Sequence, residues 1–109
     1  MISIIIYQNH SRQYVGFSTQ GHANYSDYGT DIICSAVSAL TINTINSIEQ
    51  FTSVKFTVDT NQKSGRIDFK ITSECDDKST LLLDSMILGL QGLQKDYGKK
   101  YISLNFKEV

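Results

Sequence analysis

The sequence has no proline and no tryptophan, only two cysteines and two histidines, and no long run of basic residues. Without proline, chain reversals fall to glycine and to Asn, Asp and Ser. Two cysteines, Cys34 and Cys75, are too few for the disulfide framework of a small exported domain and read as thiols of a reducing compartment. Paired CxxC or HxxxH spacing is lacking as well. His22, Asp31 and Cys34 come nearest to a ligand set, and neither a metal nor any other cofactor is expected. Ten basic residues against eleven acidic ones, with a pI near 6.0, remove the basic face needed to hold nucleic acid by its phosphates, so no direct nucleic-acid binding is expected. No apolar run reaches the ~20 residues that span a bilayer. The apolar start, residues 1–7, has no basic residue ahead of it and runs into Gln8-Asn9-His10, so it reads as a strand rather than a signal segment. The expectation is a soluble, cytoplasmic, single-domain protein over residues 1–109, with no membrane partner.

What is present is a regular succession of periodicities. Residues 2–7 alternate Ile2, Ile4 and Ile6 against Ser3, Ile5 and Tyr7. Residues 14–19 alternate again after a polar link, the pattern of a β-hairpin. From Asp31 to about Gln50, Ile33, Val37, Leu40, Thr44, Ile48 and Phe51 mark one face of a helix. Strands follow at 54–59 and 66–71, with Val54, Phe56, Val58, Ile67, Phe69 and Ile71 directed inward and the alternating charges solvated. A second helix carries Leu83, Met86, Leu90, Leu93 and Tyr97 and ends at Gly98. Gly89 and Gly92 each cost it about 1 kcal/mol of propensity, which points to close backbone contact. A last strand covers 101–106. The order ββαββαβ predicts a two-layer α+β fold, a mixed and largely antiparallel sheet with both helices on one face. The uncovered face, with Ile5, Tyr7, Tyr14 and Tyr101 as candidate members, offers a surface for a dimer.

One stretch, residues 21–40, does not follow this regularity. It opens as a glycine-flanked loop without apolar period and becomes a helix near Asp31, which is suited to be the N-cap. Cys34 then lies in the first turn, where unpaired N–H groups and the helix dipole favour thiolate over thiol. His22, at the exit of the second strand, is placed to exchange a proton with it. Ser38 shares the Cys34 face one turn on, either bonding the catalytic region or bonding back to the carbonyl of residue 34. Asp31 either orients His22 or only caps the helix. Backbone N–H groups of Ile33, Cys34 and Ser35 are candidate oxyanion donors. The loop 24–30, with Tyr25 and Tyr28, is expected to be mobile and to order over a bound substrate. On residue types alone, a thiol sensor and a non-enzymatic module with a buried Cys34 compete with an enzyme.

The run Gly21-His22-Ala23, Gly29, Asp31-Ile32, Cys34 and Val37-Ser38-Ala39-Leu40 resembles the signature of the ribosomal-processing cysteine proteases, the Prp family. Ile33 and Ser35 stand where Val and Ala are commoner. The resemblance implies a cysteine endopeptidase that removes a short N-terminal extension from a bacterial large-subunit ribosomal protein precursor, beside a motif containing an aromatic pair. It further implies Cys34 as nucleophile, His22 as general base and acid, and a homodimer. The loop with Gly21, Ala23, Tyr25, Tyr28 and Gly29 reads as the substrate loop, and the non-enzymatic alternative becomes a ribosome-associated or assembly module.

Overall fold

The computed structural model describes residues 1–22 and 31–109, and in them each predicted periodicity becomes one element: β1 (Ile2–Gln8), β2 (Tyr14–Gln20), α1 (Ile32–Phe51), β3 (Phe56–Asn61), β4 (Arg66–Ile71), α2 (Asp77–Tyr97) and β5 (Ile102–Glu108). The strands form one sheet in the order β3-β4-β2-β1-β5. Only β1 and β5 run parallel; the other neighbours are antiparallel. The mixed, largely antiparallel sheet of the sequence reading is therefore the observed one.

Strand register explains the core. Residues directly opposite one another share a face, so Val58, Phe69, Phe17, Ile6 and Phe106 form one row across the inner face, and Thr60, Ile67, Thr19, Ile4 and Leu104 form the next. Phe69 is the aromatic hub, with ring centroids 5.2 Å from Phe17 and 5.1 Å from Phe56. Both helices bury their stripes against this face: Ile33, Val37, Ile45 and Ile48 from α1, and Leu83, Met86, Ile87 and Leu90 from α2. At 20 residues α1 is long and apolar enough to cross a bilayer, although the sequence reading saw no such run. Its apolar stripe, however, belongs to the core that the sheet and α2 complete.

Several details differ from the periodic reading. Phe51 is 63% exposed, because the stripe of α1 drifts through Thr41, Thr44 and Ile45 instead. Strand β3 begins two residues later than expected and lies at the sheet edge, which leaves Val58 46% exposed although its row faces inward. Tyr14 does not join the uncovered face. A register shift between Tyr7 and Gln8 pairs Tyr14 with Gln8, turning it to the helix side, where Asp84 of α2 hydrogen-bonds it and, with burial as the larger cause, raises its pKa. Tyr101 also packs against the core. The uncovered face keeps Ile5 and Tyr7 among Ser18, Asp68, Lys70, Asn105 and Lys107.

Helix α2 begins with a capping box that the acidic stretch before it concealed: Asp76 Oδ1 accepts from the Ser79 N–H at 2.7 Å, and the Asp76 N–H is 3.3 Å from Ser79 Oγ. Gly89 is where α2 meets α1. A Cβ there would lie 3.0 Å from Leu40 Cδ1, whereas one at Gly92 would meet nothing within 4 Å, so only the first glycine reflects close approach. Fully buried Leu90 and exposed Phe51 give the check on this packing. Leu90→Ala is expected to cost about 2–5 kcal/mol of unfolding free energy, and Phe51→Ala under about 0.5 kcal/mol, both read from the midpoint shift in chemical denaturation.

Candidate active site

Because α1 does not cover the β3 edge, part of the inner face stays open. The result is a cleft of about 560 Å³ between α1 and the β3–β4 hairpin. Cys34 and Ser38 lie on its helical wall, with Val37, Thr41 and Ile45 continuing along α1; Thr19, Val58 and Ile67 line it from the sheet. Gly21 and His22 stand at one end. The structure thus brings His22, Cys34, Ser38 and Gly21 to a single cavity, although His22 and Cys34 are separated by the whole loop between β2 and α1. Ala23, Tyr25, Tyr28 and Gly29, together with the expected mobility of their loop, lie outside the described residues.

The helix start has the geometry its sequence requires. Asp31 is the N-cap, and its Oδ1 accepts from the N–H groups of Ile33 at 3.0 Å and Cys34 at 3.1 Å. The Ser35 N–H goes to the Asp31 carbonyl at 3.0 Å. All three N–H groups named as oxyanion donors are therefore held by Asp31. They reach a substrate oxygen only if Asp31 releases them. Cys34 is half-buried and Ser38 exposed. The back-bonding weighed for Ser38 is made one turn further on, where Thr41 Oγ1 donates to the Val37 carbonyl at 2.8 Å.

His22 is anchored from the opposite side. Its ring Nε2 lies 2.9 Å from the Lys63 carbonyl, and its own carbonyl accepts from the Met1 amino group at 2.6 Å. The Gly21 N–H donates to the Ser64 carbonyl at 2.8 Å, and the buried Thr19 Oγ1 donates to the Gly65 carbonyl at 3.2 Å. Here the sequence reading missed a part of the site. Residues 60–65 join the strands expected at 54–59 and 66–71, and no local pattern there points to a histidine 41 residues away. Arg66 lines the cleft as well, with its guanidinium engaged by Asp68 at 2.6 Å and Asp59 at 3.1 Å. The second cysteine is remote from this chemistry. Cys75 Sγ lies 3.5 Å from the Tyr14 carbonyl, and burial, followed by the charge of Asp76, pushes its thiol pKa up. Among the described residues no cluster of three or more His, Cys, Asp or Glu could hold a metal ion.

Comparison with known proteins matches this arrangement to one family. The model of the cysteine protease Prp family covers residues 1–103. The ribosomal processing cysteine protease Prp of Staphylococcus aureus (strain Mu50) is 28% identical over 107 residues, 98% of this chain and 100% of that one. The protein of the same name from Bacillus subtilis (strain 168) is 27% identical over 101 residues, 89% of this chain and 90% of that one. The crystal structure of the essential ribosomal processing protease Prp from S. aureus, in complex with a covalently linked product peptide, superposes with a TM-score of 0.91 at 28% identity, covering 98% of this chain and 100% of that one. The same S. aureus protease in complex with a substrate peptide gives a TM-score of 0.86 at 27% identity, with the same coverage. With the family model spanning nearly the whole sequence and the fold matched end to end, this chain belongs to the Prp family of cysteine proteases.

Proposed function

We infer that this protein cleaves the N-terminal extension from a bacterial large-subunit ribosomal protein precursor, with Cys34 as nucleophile and His22 as general base and acid. The observation that carries the reading is that His22 and Cys34, from different elements, line one open cleft in a chain whose relatives are named ribosomal processing proteases. The S. aureus protein is described with a covalently linked product peptide, and nucleophilic catalysis passes through a covalent intermediate.

The chemistry is acyl transfer. His22 takes the proton from Cys34 Sγ, and the sulfur bonds to the scissile carbonyl carbon. The C–N bond then breaks as His22 delivers the proton to the leaving amine. Water, deprotonated by the same imidazole, adds to the thioester; the C–S bond breaks, and the proton returns to sulfur. The apolar wall of Val37, Ile45, Val58 and Ile67 suits large apolar substrate side chains next to the scissile bond. Asp31 acts as the cap that fixes Cys34 at the helix start.

Mass spectrometry of a peptide spanning the extension and the mature start, incubated with wild type, Cys34→Ala and His22→Ala, tests the reading. One cut by wild type and a loss of about 10²-fold or more in each variant is expected; an intact peptide with folded wild type would refute it. Asp31→Asn is expected to keep most of the turnover, while Asp31→Ala loses about 0.5–2 kcal/mol in denaturant unfolding. In a competition with iodoacetamide at neutral pH, Cys34 is expected to be alkylated well before Cys75, whose thiol burial holds in the protonated form.

A further inference from the structure

We propose that the turn 61–65 is a built-in orienting group for His22, its Lys63 carbonyl accepting the Nε2–H and leaving Nδ1 as the nitrogen that exchanges the proton with Cys34. The inference deepens the dyad reading above and rests on it. A carbonyl oxygen can only accept, so at 2.9 Å the Nε2 of His22 must be the donor. A neutral imidazole carries one N–H; with that hydrogen on Nε2, the lone pair is on Nδ1. In cysteine and serine hydrolases an acceptor on the far side of the ring, commonly a side chain, fixes tautomer and ring direction. Here the main chain of a hairpin from another part of the fold supplies it.

Three observations show that the carbonyl is held rather than incidental. Asn61 Oδ1 accepts from the N–H of Lys63 at 3.0 Å and of Ser64 at 3.4 Å, which fixes the orientation of the peptide units in the turn. Gly65 has φ +65°, and a Cβ there would overlap the Gly21 carbonyl and approach His22 Cε1 to 3.4 Å; the turn therefore packs directly against the backbone and ring it orients. The links from Gly21 N–H to the Ser64 carbonyl and from Thr19 Oγ1 to the Gly65 carbonyl fasten the turn to the end of β2, so ring and acceptor move as one body. Lys63 acts through His22 and is a positioning residue; only its carbonyl is used.

The turn variants Asn61→Ala and Gly65→Ala, each with the whole chain, test this against wild type. The first readout is the tautomer of His22, from long-range proton–nitrogen correlation of nitrogen-15-labelled histidine at alkaline pH, with His10→Gln assigning the second ring. The second is the split of kcat and KM on the extension peptide. Wild type is expected to show Nε2–H alone, and both variants a mixture of tautomers, with kcat lowered between about 10- and 100-fold and KM changed less than about twofold. An Nδ1–H tautomer in wild type overturns the proposal, as does unchanged kcat in a folded variant. Should Gly65→Ala fail to fold, Asn61→Ala and the wild-type spectrum decide. Full cleavage by His22→Ala would instead remove the dyad itself, an outcome that the wild-type tautomer spectrum keeps separate from failure of the turn's role.

Discussion

The site depends on one seam, where the end of β2 is fastened to the β3–β4 turn. Gly21 N–H, Thr19 Oγ1 and His22 Nε2–H donate to the carbonyls of Ser64, Gly65 and Lys63 in succession. A histidine at the end of a strand has rotational freedom, whereas proton transfer needs a group held within hydrogen-bond reach of its partner. Three hydrogen bonds across the seam remove that freedom at the backbone and at the ring together. Gly21, at φ 92°, allows the chain to leave β2 in the direction the seam requires.

Cys34, the proposed nucleophile, is anchored by a different device. Cys34 is fixed by the first turn of a 20-residue helix whose N-cap binds the N–H groups of Ile33 and Cys34. Its position thus follows from α1 packing on the sheet, and that of His22 from β2 and the hairpin. The two residues proposed as the catalytic pair thus come from separate elements and meet at one cleft. The same Asp31 that makes the helix start reliable also occupies the N–H groups expected as oxyanion donors.

The cleft itself is a consequence of sheet architecture. Five strands are wider than two helices cover, and the strand left over is β3, whose Val58 and Thr60 remain open. Val58 belongs to the inward-facing row yet is exposed at the β3 edge. Here it lines the cavity that also holds Cys34 and His22, so incomplete coverage of the core becomes substrate-accessible surface. At the opposite side of the molecule the register shift at Tyr7 and Gln8 turns Tyr14 inward toward Asp84 and makes the uncovered face more polar than strict alternation implies.

The sequence by itself determined the element order, the helix start at Asp31, the inward faces of β1 and β4, and the residues Gly21, His22, Cys34 and Ser38 that the cleft brings together. These features are local: alternation, helical period and capping act over a few residues and are legible wherever the pattern is strong. Tertiary structure alone decided that β3 lies at the edge, that Phe51 points outward, that Gly89 rather than Gly92 meets the other helix, and that the turn 61–65 holds the histidine. Each of these depends on strand order and helix placement, which bring residues 41 positions apart into hydrogen-bonding distance. Nothing in the turn's own composition encodes its partner, because its carbonyls are the same in every sequence; the fold alone determines which donors they meet.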